Sequence, residues 1–230
     1  MNDIFERTEL LLGHDTMEHL SQKKVIIFGV GGVGSWCAES LVRSGIINLT
    51  IVDPDNVCES NINRQLMATH STIGKPKVDL LRQRLLDINP KAAIIAIKRA
   101  YGEQTAAEFA LSDYDYIVDA IDSLKDKVLL ILNACKTKGI FVSSMGAALK
   151  TDPLRIKVAE FWKVEGDPLA RALRKRFKSQ GNYPDKEFLC VFSDELPTAT
   201  QVIDGIRVNG TVMHVTASFG LALASIIIKK

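Results

Sequence analysis

The sequence predicts an α/β protein with a Rossmann-like, doubly wound and mostly parallel sheet, completed by a C-terminal strand and a helical extension. Short apolar segments alternate with helix-like segments over roughly the first 150 residues. A glycine-rich turn directly follows the first apolar segment and opens a helix. The chain has 230 residues, which suffices for one well-buried domain or for one large domain with a small appendage.

Strands are predicted where a short apolar run is bounded by polar or turn-forming residues. The first run is apolar throughout, as expected for a strand that is covered on both faces. The helices end where a helix stop follows, at Gly45, Asn89-Pro90 and Gly139. The predicted strands are Val25–Phe28, Leu49–Val52, Ala93–Ile97, Tyr116–Val118 and Ile140–Ser143, and the predicted helices cover residues 6–20, about 35–44, 75–88, 103–111 and 123–138.

The second part of the chain is less regular. A strand is predicted at Arg155–Phe161 and a basic helix at Pro168–Lys178, with a polar stretch at residues 179–186. The apolar segment Val212–Ile228 is shorter than the roughly 20 residues that span a bilayer, and it contains several polar side chains. It therefore predicts a buried closing helix and no association with a membrane.

Composition limits the possible classes of site. A net charge of +2 does not by itself point to nucleic acid. The four cysteines form no CxxC pair, so neither a zinc ribbon nor a thioredoxin-like motif is expected and zinc is not a predicted cofactor. The charged start of the chain lacks the apolar core of a signal peptide, which predicts a cytoplasmic protein with reduced thiols.

The glycine-rich turn predicts a nucleotide site. Gly29, Gly31 and Gly34 have GxGxxG spacing, and Gly32 lies within the same turn. Such glycines permit a tight turn and a close approach of the backbone to phosphates at the N-terminus of the following helix. Asp53 follows the second predicted strand, where an acid can bind ribose hydroxyls. Taken alone, these features would also fit a dinucleotide-dependent oxidoreductase.

The segment after Asp53 favours ATP over a nicotinamide dinucleotide. It is unusually rich in acids, amides and one guanidinium, a set suited to splitting ATP between its α and β phosphates. Lys77 adds a positive charge, and Asp122 follows the fourth strand, where it could hold magnesium on the phosphates. Other roles are open: Asp55 could cap a turn, Lys77 could be a solvated helix residue and Asp122 could cap a helix. The residues in question are Asp55, Asn61, Asn63, Arg64 and Gln65.

The motifs GVGGVG, DPDNVCESNINRQ, GKPKVD and VDAIDS resemble, in order and spacing, the adenylating domain of the ubiquitin-activating-enzyme superfamily. The resemblance covers about residues 5–145 and implies an adenylate-forming, ligase-type enzyme that uses ATP and magnesium. It implies that residues 1–150 form the ATP-binding adenylating domain with its N-terminal helix, and that residues 151–230 pack on it as a substrate and dimer region.

The same resemblance assigns roles to individual residues. It implies that the glycine turn holds the nucleotide, that Asp53 binds ribose and that Asp122 orients magnesium, with Ser123 beside it. An N-terminal arginine, here Arg7, reaches the partner subunit's phosphates in the homodimers of the superfamily, although a solvated helix charge is an equally open reading of Arg7. The groups implied to contact the phosphates are Asn61, Arg64, Gln65 and Lys77, and the implied catalytic set is Arg64, Lys77 and Asp122.

The second half points to one branch of the superfamily. DPLARALRKRFKSQG and CVFSDE, together with VDAIDSLKDK, resemble the bacterial tRNA threonylcarbamoyladenosine dehydratases. That branch adenylates a carboxylate on a modified adenosine, and the neighbouring carbamoyl group then closes a ring and displaces AMP. The resemblance implies a tRNA substrate, a homodimer and a possible sulfur-relay protein partner.

The basic helix agrees with a tRNA substrate. Arg171, Arg174, Lys175 and Lys178 share one helical face, which suits a phosphate backbone. A solvated basic helix is the alternative. Cys190 lies in a short apolar run and is expected to be a buried structural thiol, since cyclisation within the substrate needs no thioester.

Other functions remain open from the sequence. A sulfur-carrier adenylyltransferase that activates a protein C-terminus is the main alternative, disfavoured by the missing zinc cysteines. A nucleotide-binding regulatory module without turnover is disfavoured by the set Arg64, Lys77 and Asp122. An oxidoreductase that uses NAD(P) is the most distant alternative.

Overall fold

The computed structural model describes residues 4–196, 201–203 and 206–229. These residues form a seven-stranded sheet covered by helices on both faces, and a separate two-stranded antiparallel sheet. The strands of the large sheet are β1 (Lys24–Phe28), β2 (Asn48–Val52), β3 (Ala93–Ile97), β4 (Tyr116–Asp119), β5 (Ile140–Ser144), β6 (Ile156–Glu160) and β7 (Leu189–Ser193), and the small sheet consists of β8 (Gln201–Ile203) and β9 (Ile206–Val208). The helices are α1 (Glu6–Leu12), α2 (His14–Gln22), α3 (Gly34–Arg43), α4 (Lys77–Ile88), α5 (Leu124–Ala134), α6 (Pro168–Gln180) and α7 (Met213–Ile228).

The strand order explains where a ligand can enter. The sheet runs β3-β2-β1-β4-β5-β7-β6, with every neighbouring pair parallel except β6 and β7. The chain moves outward from β1 to β3 and then returns to the other side of β1 with β4. This reversal opens a crevice at the carboxyl ends of β1 and β4, which is where doubly wound sheets bind ligands. The predicted fold class is confirmed.

Two predicted helices have a different form in the structure. The N-terminal helix predicted over residues 6–20 is broken into α1 and α2, because Gly13 between them has a φ of 86°. The helix predicted over residues 103–111 is wrong, and two short 3-10 turns replace it. Tyr101 and Phe109 pack edge-on or tilted against Phe28 and each other, so ring packing in the core overrides the local helix preference.

The C-terminal part completes the same sheet. The strand and the basic helix predicted there are confirmed as β6 and α6, and β7 inserts between β5 and β6. The closing helix is confirmed as α7, which packs closely on α3: a Cβ built on Gly220 would lie 2.3 Å from the Val33 carbonyl oxygen. Within the described ranges, no helix combines the length and apolar character needed to cross a bilayer.

Candidate functional site

A cavity of about 740 Å³ opens at the carboxyl ends of the central strands. Its volume lies within the range of small-molecule and cofactor sites. Most of the predicted nucleotide-site residues line it, namely Gly29, Gly31, Gly32, Asp53, Asp55, Arg64, Gln65, Lys77, Asp122 and Ser123. The fold thus brings together residues that are up to 94 positions apart in the sequence.

The glycine turn is closed so tightly that side chains would not fit. Gly29 has a φ of 84°, and a Cβ there would lie 2.6 Å from the Ala120 carbonyl oxygen. A Cβ on Gly34, at the start of α3, would lie 1.8 Å from the Gly29 carbonyl oxygen. The turn therefore needs glycine at both positions, and it presents its backbone to the cavity at the N-terminus of α3.

Asp53 is buried beside the turn and organises it. Its Oδ2 accepts the Val30 amide at 2.8 Å and its Oδ1 accepts the Asp55 amide at 2.9 Å. Burial raises the pKa of the Asp53 carboxyl, while the nearby Lys77 ammonium and the two amides oppose that rise. Each carboxylate oxygen retains a second lone pair, so Asp53 can still accept a hydroxyl from a ribose.

Lys77 is a buried residue, not a solvated one. It is the first residue of α4, and its Nζ lies 2.8 Å from Asp55 Oδ2 and 3.9 Å from Asp53 Oδ1. The exposed Asp55 carboxylate therefore pairs with the ammonium at the cavity wall. A ligand phosphate could compete with Asp55 for Lys77, because both are oxygen anions.

Arg64 is held by neutral oxygens. Its Nη1 donates to the Ser60 carbonyl at 2.9 Å and to Asn63 Oδ1 at 2.8 Å. Over the ranges that the structure describes, no carboxylate forms an ion pair with Arg64. The buried neighbour Gln65 leaves its Oε1 without a hydrogen-bond partner. A guanidinium without a carboxylate partner suits a phosphate ligand, whereas the unpartnered Gln65 Oε1 can accept a hydrogen bond only from a donor such as a hydroxyl.

The two asparagines of the same segment have supporting positions. Neither Asn61 nor Asn63 is among the described residues that line the cavity. Asn61 is buried and its Oδ1 accepts the Cys58 amide, whereas Asn63 donates to the Thr211 carbonyl at 3.0 Å. Both asparagines make contacts that shape the loop, and Asn63 also orients Arg64. The phosphate contact predicted for Asn61 and the nucleotide contact predicted for Asn63 stay predictions.

Asp122 and Ser123 lie on the loop that follows β4. Asp122 is exposed at the cavity, and Ser123 caps α5 by accepting the Asp126 amide. The sequence interpretation missed the buried ion pair beneath this loop. Lys127 and Asp119 are both fully buried with Nζ 2.8 Å from Oδ2, and Lys127 also donates to the Ile121 carbonyl at 2.8 Å. The pair holds the loop that carries Asp122.

A second cavity wall was also missed. It consists of residues 144–150, which begin with the last residue of β5, together with Pro168 and Leu169 at the start of α6. Leu149 has a φ of 62°, a strained value for a residue with a side chain. The buried Lys150 donates to the Ser193 and Glu195 carbonyls, and burial lowers the pKa of its ammonium. No local motif distinguishes this wall, so only the fold reveals it.

The cavity residues fit a magnesium ion that is coordinated mainly by substrate phosphates and water. Among the residues the structure describes, no group of three or more His, Cys, Asp or Glu side chains is arranged to hold a metal ion. Magnesium is commonly held by one or two carboxylates together with substrate phosphates, and it retains several waters. Asp122, exposed at the cavity, could supply one such carboxylate.

The basic helix presents three of its four predicted cations to solvent. Arg171, Lys175 and Lys178, called the basic stripe below, are exposed. Arg174 is only partly exposed, and its Nη1 donates to the carbonyls of Phe161 and Val164. These two bonds attach α6 to the preceding segment, and the tRNA contact predicted for Arg174 stays a prediction.

Two further predicted residues lie apart from the cavity. Arg7 is exposed on α1 and is not among the described cavity-lining residues, so its predicted contact with a partner subunit's phosphates stays a prediction. Cys190 is fully buried in β7, and burial raises the pKa of its thiol well above its ordinary value. A thiol in that state is a poor nucleophile.

Known proteins are similar to this chain in sequence and in fold. A sequence model described as the ThiF family matches residues 5–230. The tRNA threonylcarbamoyladenosine dehydratase of Bacillus subtilis (strain 168) is 43% identical over 193 residues, which are 84% of this chain and 75% of that protein. The crystal structure of the Escherichia coli tRNA N6-threonylcarbamoyladenosine dehydratase in complex with ATP matches with a TM-score of 0.88 and 35% identity, over 98% of this chain and 92% of that chain. The corresponding complex with AMP has a TM-score of 0.89 and 35% identity, over 97% and 91% of the two chains.

Proposed function

We propose, because the chain belongs to the ThiF family, that it is an ATP-dependent enzyme that dehydrates threonylcarbamoyladenosine in tRNA. The observation that carries this proposal is the 35% identity to a dehydratase that binds ATP, over 98% of this chain. The cavity supports it, since a glycine turn, a guanidinium and a buried lysine converge there. The sulfur-carrier alternative receives weaker support, because the molybdopterin-synthase adenylyltransferase of Escherichia coli (strain K12) is 30% identical over 75% of this chain, against 43% over 84% for the Bacillus subtilis dehydratase.

The proposed reaction has two steps whose atoms balance. The substrate carboxylate attacks the α-phosphorus of ATP, so that an acyl-adenylate forms and pyrophosphate leaves. The neighbouring carbamoyl group then attacks the acyl carbon, a ring closes, and AMP leaves with the carboxylate oxygen. A proton is lost from the carbamoyl group, so the nucleoside loses one water in total.

The chain's own residues supply binding and charge in these steps. The backbone of the glycine turn and the Arg64 guanidinium would bind phosphate oxygens, and Lys77 would exchange Asp55 for a phosphate. Asp53 would hold the ribose and so set the direction of the nucleotide in the cavity. Magnesium bound by Asp122 would neutralise charge on the phosphates.

The substrate and partners follow from the same proposal. The basic stripe would bind tRNA phosphates, and the protein would act in the cytoplasm as a homodimer in which Arg7 reaches the partner subunit's nucleotide. A sulfur-relay protein is an expected further partner. The exposure of α1 supports a dimer contact there, since Leu10 and Leu11 are each 82% exposed on a helix without buried residues.

The function is tested by mass spectrometry of nucleosides from tRNA incubated with the protein, ATP and magnesium. The expected result is that threonylcarbamoyladenosine loses one water and that AMP and pyrophosphate appear in equal amounts. AMP formation that depends on a carrier protein and leaves the nucleoside unchanged would favour the sulfur-carrier alternative. Binding of ATP without any AMP formation would favour a regulatory module.

The basic stripe is tested by the double substitution Arg171→Glu and Lys178→Glu. Each lost phosphate contact reduces the magnitude of the negative slope of log affinity against log salt by about 0.7–0.9, so tRNA binding should weaken and become less sensitive to salt. Magnesium–ATP binding should stay unchanged. Arg176→Glu is the matched control, since Arg176 is exposed on α6 but lies off the face of the stripe. Superimposable salt titrations of the double variant and the wild type would exclude the stripe as the tRNA site.

A further inference from the structure

Two exposed aromatic side chains lie beside α6 and have no part in the site described above. Trp162 is 44% exposed and Tyr183 is 48% exposed, and their ring centroids are 6.1 Å apart. Trp162 precedes α6 in the chain and Tyr183 follows it. A pair of large rings left open to solvent is uncommon, because aromatic side chains contribute most when buried.

Trp162 is firmly anchored. Its backbone amide donates to Glu160 Oε2 at 2.9 Å, and its ring contacts the Phe161 ring at 5.0 Å. Phe161 is fully buried and stacks on Phe188 with centroids 4.9 Å apart. The exposed indole is thus attached to an ordered aromatic core. Stacking of a ligand on the indole would therefore cost little side-chain conformational entropy.

The aromatic pair adjoins the basic stripe. Arg174 donates to the carbonyls of Phe161 and Val164, on either side of Trp162. On the helix surface, Arg174 is the neighbour of two stripe cations, Arg171 and Lys178, which are three and four positions away. The segment that carries Trp162 therefore meets α6 at the stripe.

The helix that carries the basic stripe begins at the cavity. Pro168 and Leu169, the first residues of α6, line the cavity wall, and the helix has 13 residues. At 1.5 Å per residue it extends for about 20 Å from the cavity. A single extended polyanion could therefore contact the cavity, the stripe and the aromatic pair at once.

We propose that Trp162 and Tyr183 form a stacking platform for an unpaired base of the tRNA whose modified adenosine enters the cavity. This inference rests on the proposed function for the identity of the RNA. Unpaired RNA bases are bound by stacking on aromatic side chains next to cations that hold the backbone. An anionic membrane is disfavoured, because the apolar side of α6, with Ala170, Leu173 and Phe177, is buried in the protein and unavailable to lipid.

The platform is tested by tRNA binding of ring-removing and ring-conserving variants. Trp162→Ala and Tyr183→Ala should each weaken binding by about 5-fold to 150-fold, the range for one stacked base. Trp162→Phe and Tyr183→Phe should bind nearly as the wild type does. The salt slope should be the same in all of them, since no phosphate contact is lost. Leu154→Ala is the control for loss of an exposed apolar side chain, as Leu154 is 92% exposed.

Fluorescence provides a readout that is independent of turnover. A short single-stranded oligoribonucleotide should quench the wild-type tryptophan emission, and Trp162→Phe should abolish the quenching while Trp36 still emits. Equal tRNA affinity of both alanine variants and the wild type would overturn the platform, as would quenching by anionic phospholipid vesicles but not by RNA. If the wild type failed to dehydrate tRNA but these stacking results were obtained, the proposed function would fail and the platform would stand.

Discussion

The buried pair of Lys127 and Asp119 allows a quantitative test of how the site is held together. Both side chains are fully buried, and Asp119 also accepts the Ser143 hydroxyl at 2.7 Å and the Ile121 amide at 3.0 Å. Lys127→Met removes the cation and leaves the carboxylate buried. Removing one partner of a buried pair costs about 3–5 kcal/mol, and the two remaining hydrogen bonds to Asp119 place the expected loss of unfolding free energy near the lower end.

Thermal unfolding gives the measurement. For a chain of this size, 1 kcal/mol corresponds to about 2–4 °C, so Lys127→Met should lower Tm by about 6–12 °C. The double variant Lys127→Met with Asp119→Asn should be more stable than Lys127→Met alone, because no charge is left unpaired. Turnover should also fall, since the Ile121 carbonyl that precedes Asp122 loses its donor.

The control lies in the same helix. Lys125 pairs with Glu103 at 3.3 Å, but the two side chains are 66% and 69% exposed. Exposed pairs contribute about 0–1 kcal/mol, so Lys125→Met should barely change Tm. Equal, small Tm shifts for Lys127→Met and Lys125→Met would refute the argument that the buried pair holds the loop.

Three further predictions concern single side chains. Asp122→Ala should abolish turnover with an unchanged circular dichroism spectrum, and activity within about tenfold of wild type, ~1.4 kcal/mol in the barrier, would contradict a metal-binding role. Cys190→Ala should keep turnover within about that same factor, and a covalent substrate adduct on Cys190 detected by mass spectrometry would contradict the acyl-adenylate route. Lys157 and Arg155 lower the pKa of the Asp194 carboxyl to about 2, so its stabilising effect should be complete above its ordinary pKa of about 4 and disappear as the pH falls towards 2. The Tm difference between wild type and Asp194→Asn should therefore shrink over that interval, and a constant difference would contradict the assignment.

The parts of the structure that the sequence predicted are those with local signals. The strand, glycine turn and helix from Val25 to Arg43 follow from an apolar run and from glycines whose spacing serves one backbone geometry. Arg64, Lys77 and Asp122 could be proposed as site residues because each lies within a recognisable motif, and the structure brings all three to one cavity. These features depend on residues that are close in sequence, so pattern and propensity suffice.

The features that were missed depend on packing between distant residues. Nothing near Lys127 shows that its partner is Asp119, and the apparent helix over residues 103–111 gave way to ring contacts with Phe28. Arg174 fits the helical spacing of the basic stripe, yet its guanidinium donates hydrogen bonds to two carbonyls of the segment before α6. The spacing of residues in a helix predicts which face of the helix a side chain occupies. It does not predict which other segment of the chain packs against that face.

The position of β7 has a consequence for synthesis of the chain. β6 is made before β7, yet β7 is the strand that joins β6 to the rest of the sheet. A growing chain that has just released β6 from the ribosome therefore holds an unpaired edge strand until the residues after α6 emerge. The cover that α7 provides for α3 comes still later. We expect the nascent protein to depend on chaperones during this interval, because exposed strand edges and apolar helix faces promote aggregation.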